Sequence, residues 1–321
     1  MRHVLLAAGI GLLAIRTLMP AASPATLPAI AAEPAAGPVC EAQWQDPARG
    51  NRIVPVRIRM PAGTGKVPVI LFSHGLGGSL NAGTLWAEAW ARDGNAVIHL
   101  QHEGSDSGIL RNGGLRSAMS GEQLEARAND VHFVLDELAR LKREGVCDLT
   151  RLDLGRIGMS GHSFGAQTTL AIAGTHYQQL STQPFDRRVK AAIAFSPQPS
   201  IGTPDSIAFG GITMPFFTVT GTKDALPWLN KVTPEDRQRP FRAMPPGGKY
   251  LLVLAGANHG IFSGQDRAGF GNTASVPHVR EVVVDATTLF WRATLHGDTA
   301  AQAALDRFAA TLPAGDSFAR K

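Results

Sequence analysis

Cysteine is nearly absent from this 321-residue chain, which holds only Cys40 and Cys147. Two cysteines cannot make a multiply bridged scaffold, and they form no cluster of the kind a thiolate zinc site uses. They leave two readings: a single disulfide tying the N-terminal segment to the loop before Asp148, or two unpaired thiols. In an oxidising compartment the disulfide is the expectation. The chain also lacks H-E-x-x-H, any dense carboxylate loop and any G-x-G-x-x-G, so no metal and no cofactor is implied. Lys and Arg nowhere form a run, although the formal charge is +5, of which Arg2 and Arg16 supply two. Nucleic acid is therefore not an expected partner. No internal repeat is present. Beyond residue 32 no long uninterrupted apolar stretch exists, so stable membrane insertion of the body is not expected.

The one long apolar run is Val4 to Ile15, preceded by the basic start Met1-Arg2-His3 and followed by a Pro/Ala-rich stretch. It has the length of a signal peptide, with Ala29-Ile30-Ala31 offering small residues for cleavage; an uncleaved N-terminal anchor is the rival reading. Residues 1–32 are accordingly read as a secretory signal, 33–41 as a flexible leader and 42–321 as one domain, secreted or periplasmic.

Within that domain apolar runs alternate with helical stretches, the pattern of an α/β fold with a mostly parallel sheet covered on both faces. Expected strands are Ile53–Met60 (an edge strand), Val67–Phe72, Ala96–Leu100, Arg156–Met159, Val189–Phe195, Pro215–Thr220 and Lys249–Ala255, the last of them. Expected helices are Thr84–Asp93, Gly121–Arg143, Ala166–Ala173, Val276–His296 and Thr299–Leu312.

Gly161-His162-Ser163-Phe164-Gly165 fits G-x-S-x-G, a serine on a sharp turn between strand and helix. The two glycines are required because a side chain at either would meet the neighbouring strand or helix. A serine hydroxyl becomes a nucleophile only when a base takes its proton and an acceptor holds the base. Asp224, after the Pro215–Thr220 strand, and His259, after the Lys249–Ala255 strand, supply both in the order Ser, Asp, His. Asp205 is the rival acid, on an irregular segment. Oxyanion donors are expected at the N–H groups of Phe164 and Leu76, the latter in the glycine loop Ser73-His74-Gly75-Leu76-Gly77-Gly78. Gln101 to Asp106 (Q-H-E-G-S-D) is read as a hydrogen-bonded loop bordering the pocket, and no arginine stands out as a carboxylate clamp. Trp86, Trp228, Ile261 and Phe262 are the expected apolar pocket wall, Trp228 before Trp86.

These segments, S-H-G-L-G-G (73–78), L-Q-H-E-G-S-D-S (100–107), G-H-S-F-G-A (161–166), G-T-K-D (221–224) and A-N-H-G (257–260), resemble the α/β-hydrolase superfamily. The likeness is nearest the bacterial branch related to dienelactone hydrolase and the platelet-activating factor acetylhydrolases. Dienelactone hydrolase differs in using a cysteine nucleophile, where Ser163 stands here. The acetylhydrolases place the acid one strand earlier, where this chain has Phe195-Ser196-Pro197. The resemblance implies a serine esterase acting on small-molecule or polymeric carboxylic esters, short-chain or aryl esters first. Polyester hydrolase, lipase or phospholipid acetylhydrolase-like activity is the alternative; a serine peptidase, an acyltransferase and a non-catalytic binding protein stand further off.

Overall fold

The computed structural model describes residues 37–109, 117–178, 180, 182–227, 229, 231–265 and 277–321. The proposed signal segment and residues 33–36 lie outside these described residues. Among the described residues, eleven strands run β1 (Val39–Asp46), β2 (Arg52–Arg59), β3 (Val67–Ser73), β4 (Ala96–Leu100), β5 (Arg143–Glu144), β6 (Cys147–Asp148), β7 (Leu152–His162), β8 (Val189–Phe195), β9 (Phe216–Lys223), β10 (Lys249–Asn258) and β11 (Ser317–Arg320). Nine of them form one sheet in the order β1-β2-β4-β3-β7-β8-β9-β10-β11. Neighbours from β4 through β10 pair in parallel, while β1 with β2, β2 with β4 and β10 with β11 pair antiparallel. The seven helices are α1 (Thr84–Arg92), α2 (Gly121–Arg140), α3 (Phe164–Ala173), α4 (Asp205–Phe209), α5 (Arg239–Ala243), α6 (Pro277–Trp291) and α7 (Thr299–Asp306) among the described residues.

The central strands are apolar on both faces, as a parallel sheet covered on both sides requires. In β3, Ile70 and Phe72 enter the core under α1 and α6, with Trp86, Trp90, Phe290 and Trp291. Val69 and Leu71 point the other way, into a core with Val131, Val134, Leu135 and Leu138 of α2. A fully buried strand thus reads as an unbroken apolar run, which is why the central strands are recognisable in the sequence.

The two edges differ from the expectation. Val39, Cys40 and Glu41, read as the end of a leader, begin β1, and β1 pairs along all of β2. The segment expected as an edge strand is therefore the second strand in. At the other margin, β11 adds to β10 after the last helix. Edge strands half-exposed to water carry mixed polar and apolar residues, as V-C-E-A-Q-W-Q-D and S-F-A-R do, and lack the apolar run that marks the centre. Helix α2 stops at Arg140, and Leu141 leaves the helical region with ψ 144°. The short hairpin β5–β6 follows, carrying Cys147.

Cys40 of β1 and Cys147 of β6 are joined in a disulfide across 107 residues of sequence. It ties the edge strand to the hairpin, beside the hydrogen bond from Trp44 Nε1 to Glu144 Oε2 at 2.9 Å. Closing so long a loop restricts the unfolded chain, so the double change Cys40→Ser, Cys147→Ser costs about 2–4 kcal/mol. In a chain of this size that corresponds to a Tm roughly 3–7 °C lower. Calorimetry of the oxidised and the double-serine protein checks this; equal melting temperatures would refute it.

Candidate active site

The turn between β7 and α3 is dictated by two backbone contacts. A Cβ on Gly165 would lie 1.9 Å from the carbonyl oxygen of Ser73, and one on Gly161 would lie 2.3 Å from that of Gly165. Neither position accepts any side chain, as the sequence pattern requires. Between them Ser163 sits at φ 57°, ψ −113°. A positive φ at a residue with a side chain is strained, and here the crowding on both sides holds it. Ser163 is 9% exposed.

Asp224 and His259 reach the serine because β9 and β10 end close together. A Cβ on Gly221 would meet the Ala257 carbonyl oxygen at 2.3 Å, so only glycine permits this approach. His259 Nε2 lies 2.8 Å from Ser163 Oγ and its Nδ1 lies 2.7 Å from Asp224 Oδ1. With Nδ1–H donating to the carboxylate, Nε2 is the acceptor for the serine proton. The other carboxylate oxygen accepts from Thr220 Oγ1 at 2.7 Å. Sequence reasoning missed Arg237. Its guanidinium is wholly buried and lies 2.7 Å from Asp224 Oδ1, while also donating to the carbonyls of Asp224, Ser196 and Pro197. Nothing in the local sequence distinguishes it from a surface arginine.

Burial alone would raise the Asp224 carboxyl, but the hydrogen bond and charge of His259, then the Arg237 charge, hold it below the usual range. For His259, burial is the largest influence and outweighs the Asp224 hydrogen bond, leaving the imidazole below its ordinary 6.5. The His259 imidazole is thus neutral at neutral pH. Asp205 is elsewhere, paired with Arg239 at 2.7 Å.

Three expected pocket residues are core instead. Trp86, Ile261 and Phe262 are 0% exposed. Trp86 stacks on Phe195 with ring centroids 5.9 Å apart, and its Nε1 donates to the Phe262 carbonyl at 3.3 Å. They anchor the segment after His259 to α1, aided by the Gly83 and Leu85 amides donating to Ser263 and Gly264. Their proximity to His259 in sequence signalled support, not substrate contact. Trp228 lies outside the described residues. His162 adds a second anchor, its Nε2 donating to the His259 carbonyl at 2.9 Å.

The glycine loop lies against this turn. A Cβ on Gly75 would stand 3.3 Å from Ser163 Cβ. Neither the Leu76 nor the Phe164 amide donates to a protein acceptor among the described residues. The loop from Gln101 to Asp106 is hydrogen-bonded as expected, through Gln101 Nε2 to Asp106 Oδ2 at 2.8 Å, and it braces the glycine loop, with Gly77 N–H donating to the Ser105 carbonyl at 2.8 Å.

A cavity of about 350 Å³ opens beside Phe164, walled by Met119, Leu124, Tyr177, Leu180 and Phe209, with Ile201 among its lining residues. Gln167 and Ser200 also line it, and Gln167 Oε1 and Ser200 Oγ have no hydrogen-bond partner among the described residues. Its residues come from the turn before α2, from α2, α3 and α4, and from the segments after α3 and β8, so no single stretch of sequence announces it.

No family model and no curated protein matches the sequence. Among solved structures, the ferulic acid esterase from Streptomyces cinnamoneus is similar, with a TM-score of 0.60 and 21% identity over 85% of this chain and 93% of that one. At that identity the likeness is one of fold.

If Ser163 is the activated hydroxyl, a fluorophosphonate labels it, and mass spectrometry of the modified peptide locates the adduct. The labelling rate follows neutral His259, so it falls as the pH drops through a midpoint below 6.5. Asp224→Asn slows labelling by at least about hundredfold, whereas Asp205→Asn leaves it unchanged. A midpoint above 6.5, or equal effects of the two substitutions, contradicts the assignment.

Proposed function

We propose that the protein is a carboxylic ester hydrolase of α/β-hydrolase fold, working through an acyl-enzyme on Ser163. The observation that carries this reading is the continuous hydrogen-bonded chain from Ser163 Oγ through His259 to Asp224, at 2.8 and 2.7 Å. His259 takes the serine proton as Oγ attacks the ester carbonyl. The Asp224 carboxylate, kept ionised by His259 and Arg237, steadies the imidazolium that forms. The free amides of Leu76 and Phe164 receive the oxyanion, and His259 then returns the proton to the departing alcohol. Water repeats the sequence in reverse and releases the acid.

The cavity beside Phe164 is the place for the apolar half of the substrate. At about 350 Å³ it is roughly twice the size of a cavity that holds benzene (about 150 Å³), which suits an aryl or short acyl group. The unpartnered oxygens of Gln167 and Ser200 favour an aryl group carrying a hydroxyl donor, because each is costly to leave unbonded. An ester of ferulic acid, the acid for which the structural neighbour is named, has this chemistry. The disulfide and the N-terminal apolar run support export to an oxidising compartment.

The test is a panel of p-nitrophenyl esters from acetate to palmitate, with methyl ferulate and methyl cinnamate, run on wild type and Ser163→Ala. Short and aryl esters turn over fastest, palmitate slowest, and Ser163→Ala is inactive on all. Gln167→Leu lowers kcat/KM for methyl ferulate relative to methyl cinnamate by about three- to tenfold, the worth of one neutral hydrogen bond. Activity that survives Ser163→Ala would sink the hydrolase reading. An unchanged ferulate to cinnamate ratio would remove the hydroxyaryl preference alone.

A further inference from the structure

Behind the glycine loop lies a second arrangement of serine, histidine and aspartate that the mechanism above does not use. Ser73 Oγ lies 2.8 Å from His102 Nε2, and His102 Nδ1 lies 3.0 Å from Asp130 Oδ2. Ser73, His102 and Asp130 are all 0% exposed, so Ser73 is not a second nucleophile. Asp130 is bound in turn by Arg52 and Arg49, each at 2.8 Å. Arg127, also 0% exposed, donates to Ser73 Oγ, Ser105 Oγ and Thr168 Oγ1 at 2.8 Å each, and to the His74 carbonyl. Its guanidinium stands 4.6 Å from the centre of the Phe164 ring.

The proton positions follow from the donors. The His102 amide N–H donates to His74 Nε2 at 2.9 Å, so that nitrogen carries no proton. His74 Nδ1 is then the N–H and donates to the Gly75 carbonyl at 2.7 Å, which also accepts from Gly78 N–H at 3.0 Å. A trans peptide sets its N–H opposite its C=O. Pinning the Gly75 carbonyl toward the His74 ring therefore turns the Leu76 N–H away from that ring. Arg127 meanwhile touches both sides of the site, holding the His74 carbonyl on the glycine loop and Thr168 and Phe164 on α3.

We propose that His74, held by the Ser73–His102–Asp130 relay, and Arg127 are positioning residues that set the Leu76 and Phe164 amides as the two donors of the oxyanion hole. The reading rests on the ester hydrolase proposed above. It accounts for a buried cation and two buried imidazoles in a place where apolar side chains would be cheaper to bury. Burial first, then the Arg127 charge, holds both imidazoles well below ordinary histidine, His102 at about 4, so each keeps one donor and one acceptor nitrogen.

The test compares kcat/KM for an aryl ester and for its thionoester, whose C=S sulfur is a poor hydrogen-bond acceptor and gains little from the hole. His74→Leu removes the donor to Gly75, while His74→Asn keeps an N–H near the Nδ1 position. His74→Leu lowers kcat for the oxoester about tenfold to hundredfold with KM nearly unchanged. The ratio of oxoester to thionoester kcat/KM falls by a similar factor, and His74→Asn restores both. Thr168→Val, a milder change that takes one acceptor from Arg127, lowers the same ratio by a smaller factor and serves if His74→Leu does not fold. A ratio that stays at the wild-type value in folded His74→Leu or Thr168→Val overturns the proposal, because general structural damage lowers both substrates equally. Loss of ester hydrolysis in Ser163→Ala, measured alongside, keeps the two readings separate.

Discussion

The contact between Gly165 and the Ser73 carbonyl is the constraint on which the rest of the site depends. Helix α3 can start directly under the end of β3 only because the would-be Cβ position, 1.9 Å from that oxygen, is empty. This brings the helix N-terminus, the glycine loop and the turn at Ser163 into one small volume. The cost is a serine at φ 57°, a conformation that survives because both neighbours leave no relaxed alternative. Ser163, Phe164 N–H and the Gly75–Leu76 peptide are then close by construction, before any side chain is placed.

On either side of this contact stands a buried arginine with a different task. Arg237 gathers the carbonyls of Ser196, Pro197 and Asp224 and lies against the Asp224 carboxylate, so the ends of β8 and β9 are held together with the acid ionised. Arg127 gathers groups from the glycine loop, the loop after β4 and α3. A guanidinium suits both places because its five fixed donors can satisfy several carbonyl and hydroxyl acceptors converging from separate segments. Removing either would leave a group of buried acceptors without donors, and that penalty exceeds the worth of any single bond. The buried tryptophans do comparable work on the other face: Trp86 and Trp90 stack on Phe195, and Trp86 holds the segment after His259.

Much of this is legible along the chain. The central strands are buried on both faces and so appear as apolar runs; β4 and β8 match their expected bounds. Ser163, Asp224 and His259 follow such runs, and the parallel sheet delivers all three to one edge. The margins are hidden because β1 and β11 are short of apolar residues, their faces being partly in water. Closeness to His259 along the chain does not bring Ile261 and Phe262 into a cavity: both turn inward to anchor the loop.

The sequence by itself determined the α/β alternation, the order of the three candidate residues and the glycines at positions 161 and 165, since each depends on local period or on the absence of a side chain. Only the tertiary structure decided which arginines and histidines go inside, where the cavity lies and what pins the Gly75 carbonyl. These depend on partners far apart in the chain, such as Arg127 and Thr168, or His102 and Asp130. A charged residue carries no local mark of burial; its place is settled when separate segments converge on it with enough acceptors to replace water.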